Sequence, residues 1–408
     1  MRITKIELLH ADGGWRTISF LKLSTDEGLT GWSEYNETVW NPGLTPVVQA
    51  ISAAAIGRDP RAFASIAAVL HASLKLTPGG LGCQAVAAVE NACIDVAAKA
   101  AGVPAYRLLG GPVRARIPVY WSHAGLFRAT IPDAFERDAG SPPVRGPEDY
   151  KALGAEIRAK GFTALKTNPV IFGGPDGRRG GTMANTGIRA TPDLDLAGAG
   201  RGYPLAGLID QLEALRDGAG PDMEIMLDLN FSLRGEGMRR VAGALDHLGL
   251  AWMEIDTDVP AALADVRGGL MTPVASLESL HGMAQYRPWL EQRACDVVLI
   301  DPMWNGVYSA LRIAALADAF GFNVAVHNCY GRLGDRQAAA FAALAPNLRI
   351  MEMEPDDVRW HADLVDAPLA LEDSALLLDE RIGWGCDPDE VAIRAHPPRP
   401  DPTRPWLA

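Results

Sequence analysis

The runs EIMLDLN (224–230), LAWMEID (250–256), PVASLES (273–279), DVVLID (296–301), NVAVHN (323–328) and LRIMEME (348–354) decide the fold. Each is a short apolar stretch that closes on an ionisable residue: Asp228, Glu254, Glu278, Asp301, His327 and Glu352 in turn. Successive steps are 26, 24, 23, 26 and 25 positions. Helix-compatible segments such as EGMRRVAGALDHLG and SALRIAALADAFG fill the gaps, so the repeating unit reads strand, loop, helix. That alternation builds a parallel sheet, and in an eight-fold barrel of such units the chemistry gathers where the strands end. A single acid at a strand end reads as a helix cap; six in register predict one shared mouth.

Upstream, FTALKTN (162–168) reads as the second barrel strand, carrying Lys166 into the same mouth, and IPVYWS (117–122) as the first. The regular spacing fails between Lys166 and Asp228. The excess lies in a Gly-rich stretch over 170–204 that holds Arg178, Arg179, Arg189 and Arg201. Because it leaves a strand end it belongs to the active-site face, as a lid or equally as an oligomer contact. Residues 1 to about 40 alternate apolar and polar around turns at Asp12-Gly13-Gly14 and Asp26-Glu27-Gly28, which predicts a three-stranded antiparallel meander. An Ala-rich helical stretch from Gly43 to Ala101 follows. The expected organisation is an α+β capping domain over 1–113, a (β/α)7β barrel over 114–375, and a C-terminal return to the capping domain over 376–408.

The 408 residues exceed one average domain. A net charge of −12, with no basic cluster interleaved with aromatics, argues against a nucleic-acid surface. No run was expected to reach membrane-spanning length, and the N-terminus reads as a strand and not as a targeting segment. Five widely spaced cysteines without a C-x-x-C pair fit a reducing cytoplasm and neither a disulfide framework nor a zinc site. The expected partner is a small-molecule carboxylate.

Asp228, Glu254 and Glu278 end consecutive strands, and three converging carboxylates need a cation among them. All-oxygen ligation with room for water and substrate suits one Mg²⁺. Asp301 beside His327 would fix the imidazole tautomer and make it a general base. Lys166 either balances charge or takes part in catalysis. Glu352, if protonated by its crowded acidic surroundings, could donate to a substrate oxyanion, a role for which Glu354 competes. A divalent ion flanked by a base suits proton removal next to a carboxylate.

These features together resemble the enolase superfamily, in its mandelate racemase-like branch, over nearly the whole chain. The resemblance rests on GLTGWSEYNE (28–37), AVAAVENACIDVAAKAAGVPAYRLLGG (85–111), Lys166 in GFTALKTN, the three acids, the Asp301 and His327 pair, and GWGCDPDEV (383–391). It implies a capping domain over a modified barrel, Mg²⁺ on the three acids, proton abstraction α to a carboxylate, and a homo-oligomer. It also implies that capping loops around Gly13 to Arg16 and at Trp40 close over substrate, making Trp15 and Arg16 contacts. Lys166 and Asn168 replace the Lys-x-Lys of the racemases and resemble the pattern of galactonate dehydratases, although Asn230 stands where those have a histidine. The expectation is a sugar-acid dehydratase acting on an aldonate or aldarate, with Asn168, Asn230, Arg234 and His123 touching substrate. A one-base epimerase or cycloisomerase, or a non-catalytic sugar-acid-binding barrel, are the alternatives.

Overall fold

The computed structural model describes residues 1–38, 41–76, 79–172, 182–183 and 205–399. Eight parallel strands form a closed barrel: Arg116–Trp121, Ala164–Thr167, Glu224–Asp228, Trp252–Glu254, Val274–Ser276, Val297–Ile300, Asn323–Val326 and Leu348–Met353. The eighth pairs with the first through Met351 with Val119, Glu352 with Tyr120 and Met353 with Trp121, which leaves the barrel no open edge. Among the described residues seven long helices cross between successive strands, and the 3-10 turn His361–Leu364 follows the eighth. This is the expected (β/α)7β arrangement.

The barrel interior explains why the functional residues share a mouth. Tyr120, Ala164, Met226, Trp252, Leu299, Ala325 and Ile350 pack together inside the barrel. Side chains alternate faces along a strand. Counting two residues on from each therefore gives Ser122, Lys166, Asp228, Glu254, Asp301, His327 and Glu352, all on the inward face at the C-terminal tips. The fifth strand is the exception: Ala275 would turn Leu277 inward. Leu277 adopts a left-handed backbone, φ 93°, which breaks the alternation at Glu278.

Ahead of the barrel, Ile3–Asp12, Thr17–Thr25 and Thr30–Tyr35 form an antiparallel meander. Helices Leu44–Ser52, Phe63–Ser73 and Gly80–Ala101 cover it, with Leu21, Leu23, Val48, Leu70, Val89 and Val96 in their common core. By length and composition the Gly80–Ala101 helix could cross a membrane, contrary to the expectation that no run reaches that length. In its most apolar window 89% is buried inside the protein, so here it is a core helix. Its Asp95 accepts from the Trp32 and Trp384 backbone N–H groups at 2.9 Å each and pairs with Lys99 at 2.8 Å, tying the meander to the C-terminal return. In that return Ala375–Leu377 pairs antiparallel with the first barrel strand. Asp389 caps helix Glu390–Ala395, and Glu390 meets Lys22 of the meander.

Gly31 is where strand and core helix touch most closely. A Cβ there would lie 2.3 Å from the Ala92 carbonyl oxygen and 2.4 Å from Val96 Cγ2. Gly31→Ala is therefore expected to cost about 1–3 kcal/mol through overpacking, read as a lower urea midpoint at unchanged slope.

Candidate active site

Lys166 is the cationic centre of the mouth and is 2% exposed. Its Nζ donates to Glu254 Oε2 at 2.9 Å and lies 3.0 Å from Glu352 Oε1 and 3.9 Å from Asp228 Oδ2. Burial opposes its charge, but Glu254 and Glu352 outweigh that and hold its pKa well above the usual lysine value. One ammonium thus binds the second, fourth and eighth strands together.

The acids around it are in excess. Burial, together with neighbouring carboxylates, pushes Asp228 up to about 6, Asp256 and Glu278 to about 7 and Glu254 to about 8. Glu254, Asp256 and Glu278 place carboxylate oxygens within 4.8 Å of one another. Asp256 Oδ2 and Glu254 Oε1 are buried without a hydrogen-bond partner. Buried, unpartnered oxygens in a cluster that is costly to ionise are what a hard divalent cation satisfies, so the donor set fits Mg²⁺.

Asp256 joins this cluster unforeseen. It follows Glu254 by two positions in LAWMEID, and the strand period carries that signal. Asp228 lies beside the cluster, cross-strand from Glu254, with its oxygens already engaged. Asn230 donates to Oδ1 from its backbone N–H at 2.8 Å and from its side-chain amide, and Asn168 Nδ2 donates to Oδ2 at 3.1 Å. Asn168 and Asn230, expected on substrate, thus orient Asp228 in this structure.

His327 stands at the tip of the seventh strand with Nδ1 2.6 Å from Asp301 Oδ2. Asp301 itself is fixed: Oδ1 accepts from the Met303 and Trp304 backbone N–H groups at 2.6 and 2.7 Å, and the Tyr330 hydroxyl donates to Oδ2. His327 Nε2 points the other way, 3.4 Å from Glu278 Oε2 and 3.8 Å from Glu352 Oε2. Burial would lower its pKa; Glu278, Cys329 and Asp301 together raise it well above the usual imidazole value.

The expected protonated Glu352 is corrected by its surroundings. Ser122 and Lys166 bond Oε1, and the Asn328 backbone N–H donates to Oε2 at 2.9 Å. Burial opposes ionisation, but Lys166, His327 and His123 hold the carboxyl below its usual range. Burial pushes Glu354 the other way, well above the ordinary carboxylate value. Its Oε2 lies 2.6 Å from His123 Nδ1, and burial lowers His123 to about 4. His123 and Asn230 both take left-handed backbone, φ 47°, as strained residues at functional sites often do.

From the capping domain, Trp15 stacks on Phe127 at 4.1 Å and meets the His123 ring edge-on at 5.7 Å. Arg16, 5% exposed, donates through Nη2 to the Tyr330 carbonyl at 3.0 Å and pairs with Asp357 at 2.5 Å. Arg234 is not brought in; it is exposed at the start of helix Gly235–Leu245. Trp40 and most of the 170–204 insertion lie outside the described residues, apart from a short pairing of Val170–Ile171 with Thr182–Met183.

An antiparallel capping sheet over a closed barrel, with acids ending the third to fifth strands and a His–Asp pair at the seventh and sixth, has a match. Residues 13–110 match the mandelate racemase/muconate lactonizing enzyme N-terminal domain, and residues 149–392 match the enolase C-terminal domain-like family. The chain belongs to the mandelate racemase/muconate lactonizing enzyme family of the enolase superfamily. Within it, the chain is 26% identical over 403 residues to a D-xylonate dehydratase of Haloferax volcanii, covering 97% of this chain and 88% of that one. It is 24% identical to a D-gluconate dehydratase of Thermoproteus tenax, over 96% of this chain and 72% of the other. A solved Burkholderia xenovorans structure, provisionally described as an L-alanine-DL-glutamate epimerase bound to magnesium and fumarate, shares 38% identity and a TM-score of 0.93 over 99% of both chains.

Proposed function

We propose that the chain is a Mg²⁺-dependent hydro-lyase that dehydrates a sugar acid, an aldonate or aldarate, to a 2-keto-3-deoxy acid in the cytoplasm. The observation that carries this reading is the His327–Asp301 pair, 2.6 Å apart, whose Nε2 faces the carboxylate cluster. Mere binding needs no oriented base, which weighs against the non-catalytic barrel. The dehydratase relatives over nearly the whole chain support the same class.

Glu254, Asp256 and Glu278 would hold the ion, together with Asp228 beside them once its oxygens turn from Asn168 and Asn230. Bound there, Mg²⁺ would hold the substrate carboxylate and stabilise charge as the α proton leaves. The residues do the rest. Glu278 is the carboxylate that raises His327 most; once its charge is taken up, Nε2 is free to accept the C2 proton. Asp301 keeps Nδ1–H in place and stabilises the imidazolium. That imidazolium returns its proton to the departing 3-hydroxyl, which leaves as water, and the resulting enol becomes the ketone. Lys166 supports developing negative charge, and the His123–Glu354 pair, with Trp15 against the His123 ring, faces substrate hydroxyls.

The epimerase description of the 38% identical relative raises a second reading. Two-base proton exchange needs a base on each face of the α carbon. Opposite His327 the second strand offers Asn168, whose amide cannot take a proton and already bonds Asp228. This favours elimination. The test is proton NMR of the protein with Mg²⁺ and a panel of aldonates and aldarates in deuterated water. New 3-deoxy methylene signals that disappear with a chelator are expected. Loss of the C2 proton signal alone would replace the dehydratase reading with epimerisation, and an inert panel would overturn the substrate class.

A further inference from the structure

The two barrel helices that follow Asp301 and His327 lack N-terminal caps of their own. Helix Val307–Ala319 starts at Gly306 and helix Arg332–Leu344 at Gly331, and neither N-cap residue has a side chain to offer. A helix start leaves backbone N–H groups that need an acceptor. Here the acceptors come from the capping domain, more than 200 residues away. Glu34, at the end of the meander, accepts from the Gly331 N–H through Oε1 and from the Gly334 N–H through Oε2 at 2.8 Å. Asn91 Oδ1 accepts from the Val307 N–H at 2.8 Å, and Glu90 accepts from the Ser309 N–H at 3.3 Å and from its hydroxyl at 3.1 Å. Asn91 Nδ2 also holds the Pro302 carbonyl, the residue next to Asp301, at 3.2 Å.

We infer that Glu34 is a positioning residue for the base: by capping the seventh-strand helix from the other domain, it fixes the His327–Gly331 loop and with it the imidazole. Glu90 and Asn91 do the same for the Asp301 side, so the docked capping domain sets the geometry of the pair. Three further observations bear on this. Glu34 and Glu90 are 2% and 1% exposed, so each is a buried carboxylate whose acceptors are committed to the barrel. A Cβ at Gly331 would lie 2.7 Å from Glu34 Oε2, so the site is shaped around that carboxylate. The loop it ends is short and otherwise held by reactive-site groups: Asn328 by Glu352, and Tyr330 by Asp301 and Arg16. Releasing the Gly331 end therefore frees the segment that aims His327.

The inference rests on His327 being the base, so its test includes a readout that needs no substrate. The imidazole resonances of ring-labelled histidine are followed in the whole protein, with His327 assigned from its absence in His327→Asn. In the unaltered chain His327 is expected to give one sharp set of ring signals, with its Nδ1 proton held toward Asp301. Glu34→Ala is expected to shift and broaden that signal, and to lower kcat on the substrate found above by about 10²-fold with KM little changed, as a misaimed reacting group does. Glu34→Gln keeps one accepting oxygen and should recover most of both. An unmoved His327 resonance in folded Glu34→Ala overturns the inference, whatever the reaction class. If Glu34→Ala does not fold, Glu34→Asp, whose carboxylate is one methylene short of the Gly331 and Gly334 N–H groups, decides: a shifted or broadened His327 signal supports the role, and an unaltered one overturns it. A failed substrate panel with a shifted resonance would overturn the dehydratase reading and leave the positioning role standing.

Discussion

His327→Asn is expected to abolish measurable dehydration while the protein stays folded and still binds Mg²⁺. A positioned general base contributes about 10²–10⁴-fold, and here one imidazole serves as base and then as acid, so both proton transfers are lost together. Asparagine keeps roughly the size of the ring near Asp301 but offers no basic nitrogen. The measurement is the C2 proton and the 3-deoxy methylene in deuterated water. Full turnover in this variant would show that another group removes the proton. Asp301→Asn should be almost as severe for a different reason. Its amide can present a donor to Nδ1 and so favour the tautomer with the proton on Nε2, the nitrogen that must accept.

Lys166→Met should have the largest effect on stability. Lys166 Nζ is 2.9 Å from Glu254 and 3.0 Å from Glu352 in a site where all three are almost fully buried. Removing one partner of a buried ion pair leaves uncompensated charge and costs about 3–5 kcal/mol. The urea midpoint of the metal-free protein should fall accordingly. A second change, Glu352→Gln, removes one of the stranded charges and should recover part of the loss, and in the cycle the two changes should be non-additive by about 0.5–3 kcal/mol. Equal, additive losses would mean that Lys166 is held by packing and not by its carboxylates.

The barrel was legible because its strands are buried on both faces and end abruptly in charge, a pattern that repeats with nearly constant spacing. That spacing puts Asp228, Glu254, Glu278, Asp301, His327 and Glu352 at successive strand ends, with Lys166 on the second strand, and so in one mouth. Asp256 repeats the phase of Glu254 two residues later, but lies beyond the strand end at which the spacing repeats. Glu278 reached the mouth for a reason no period conveys, the left-handed turn of Leu277.

By itself, then, the sequence determined the architecture and the membership of the mouth, because both follow from local periodicity and the geometry of parallel strands. Only the tertiary structure decided the state and company of each group. Glu352 is pulled below and Glu354 pushed above the ordinary carboxylate range because only the first meets Lys166, and Asn168 and Asn230 turn to Asp228 because that carboxylate lies within reach. Glu34 caps a helix about 300 residues onward. Electrostatics and hydrogen bonding act over a few ångströms of space, and the separations that bring those atoms together are set by the closed barrel and the docked capping domain, not by neighbours along the chain.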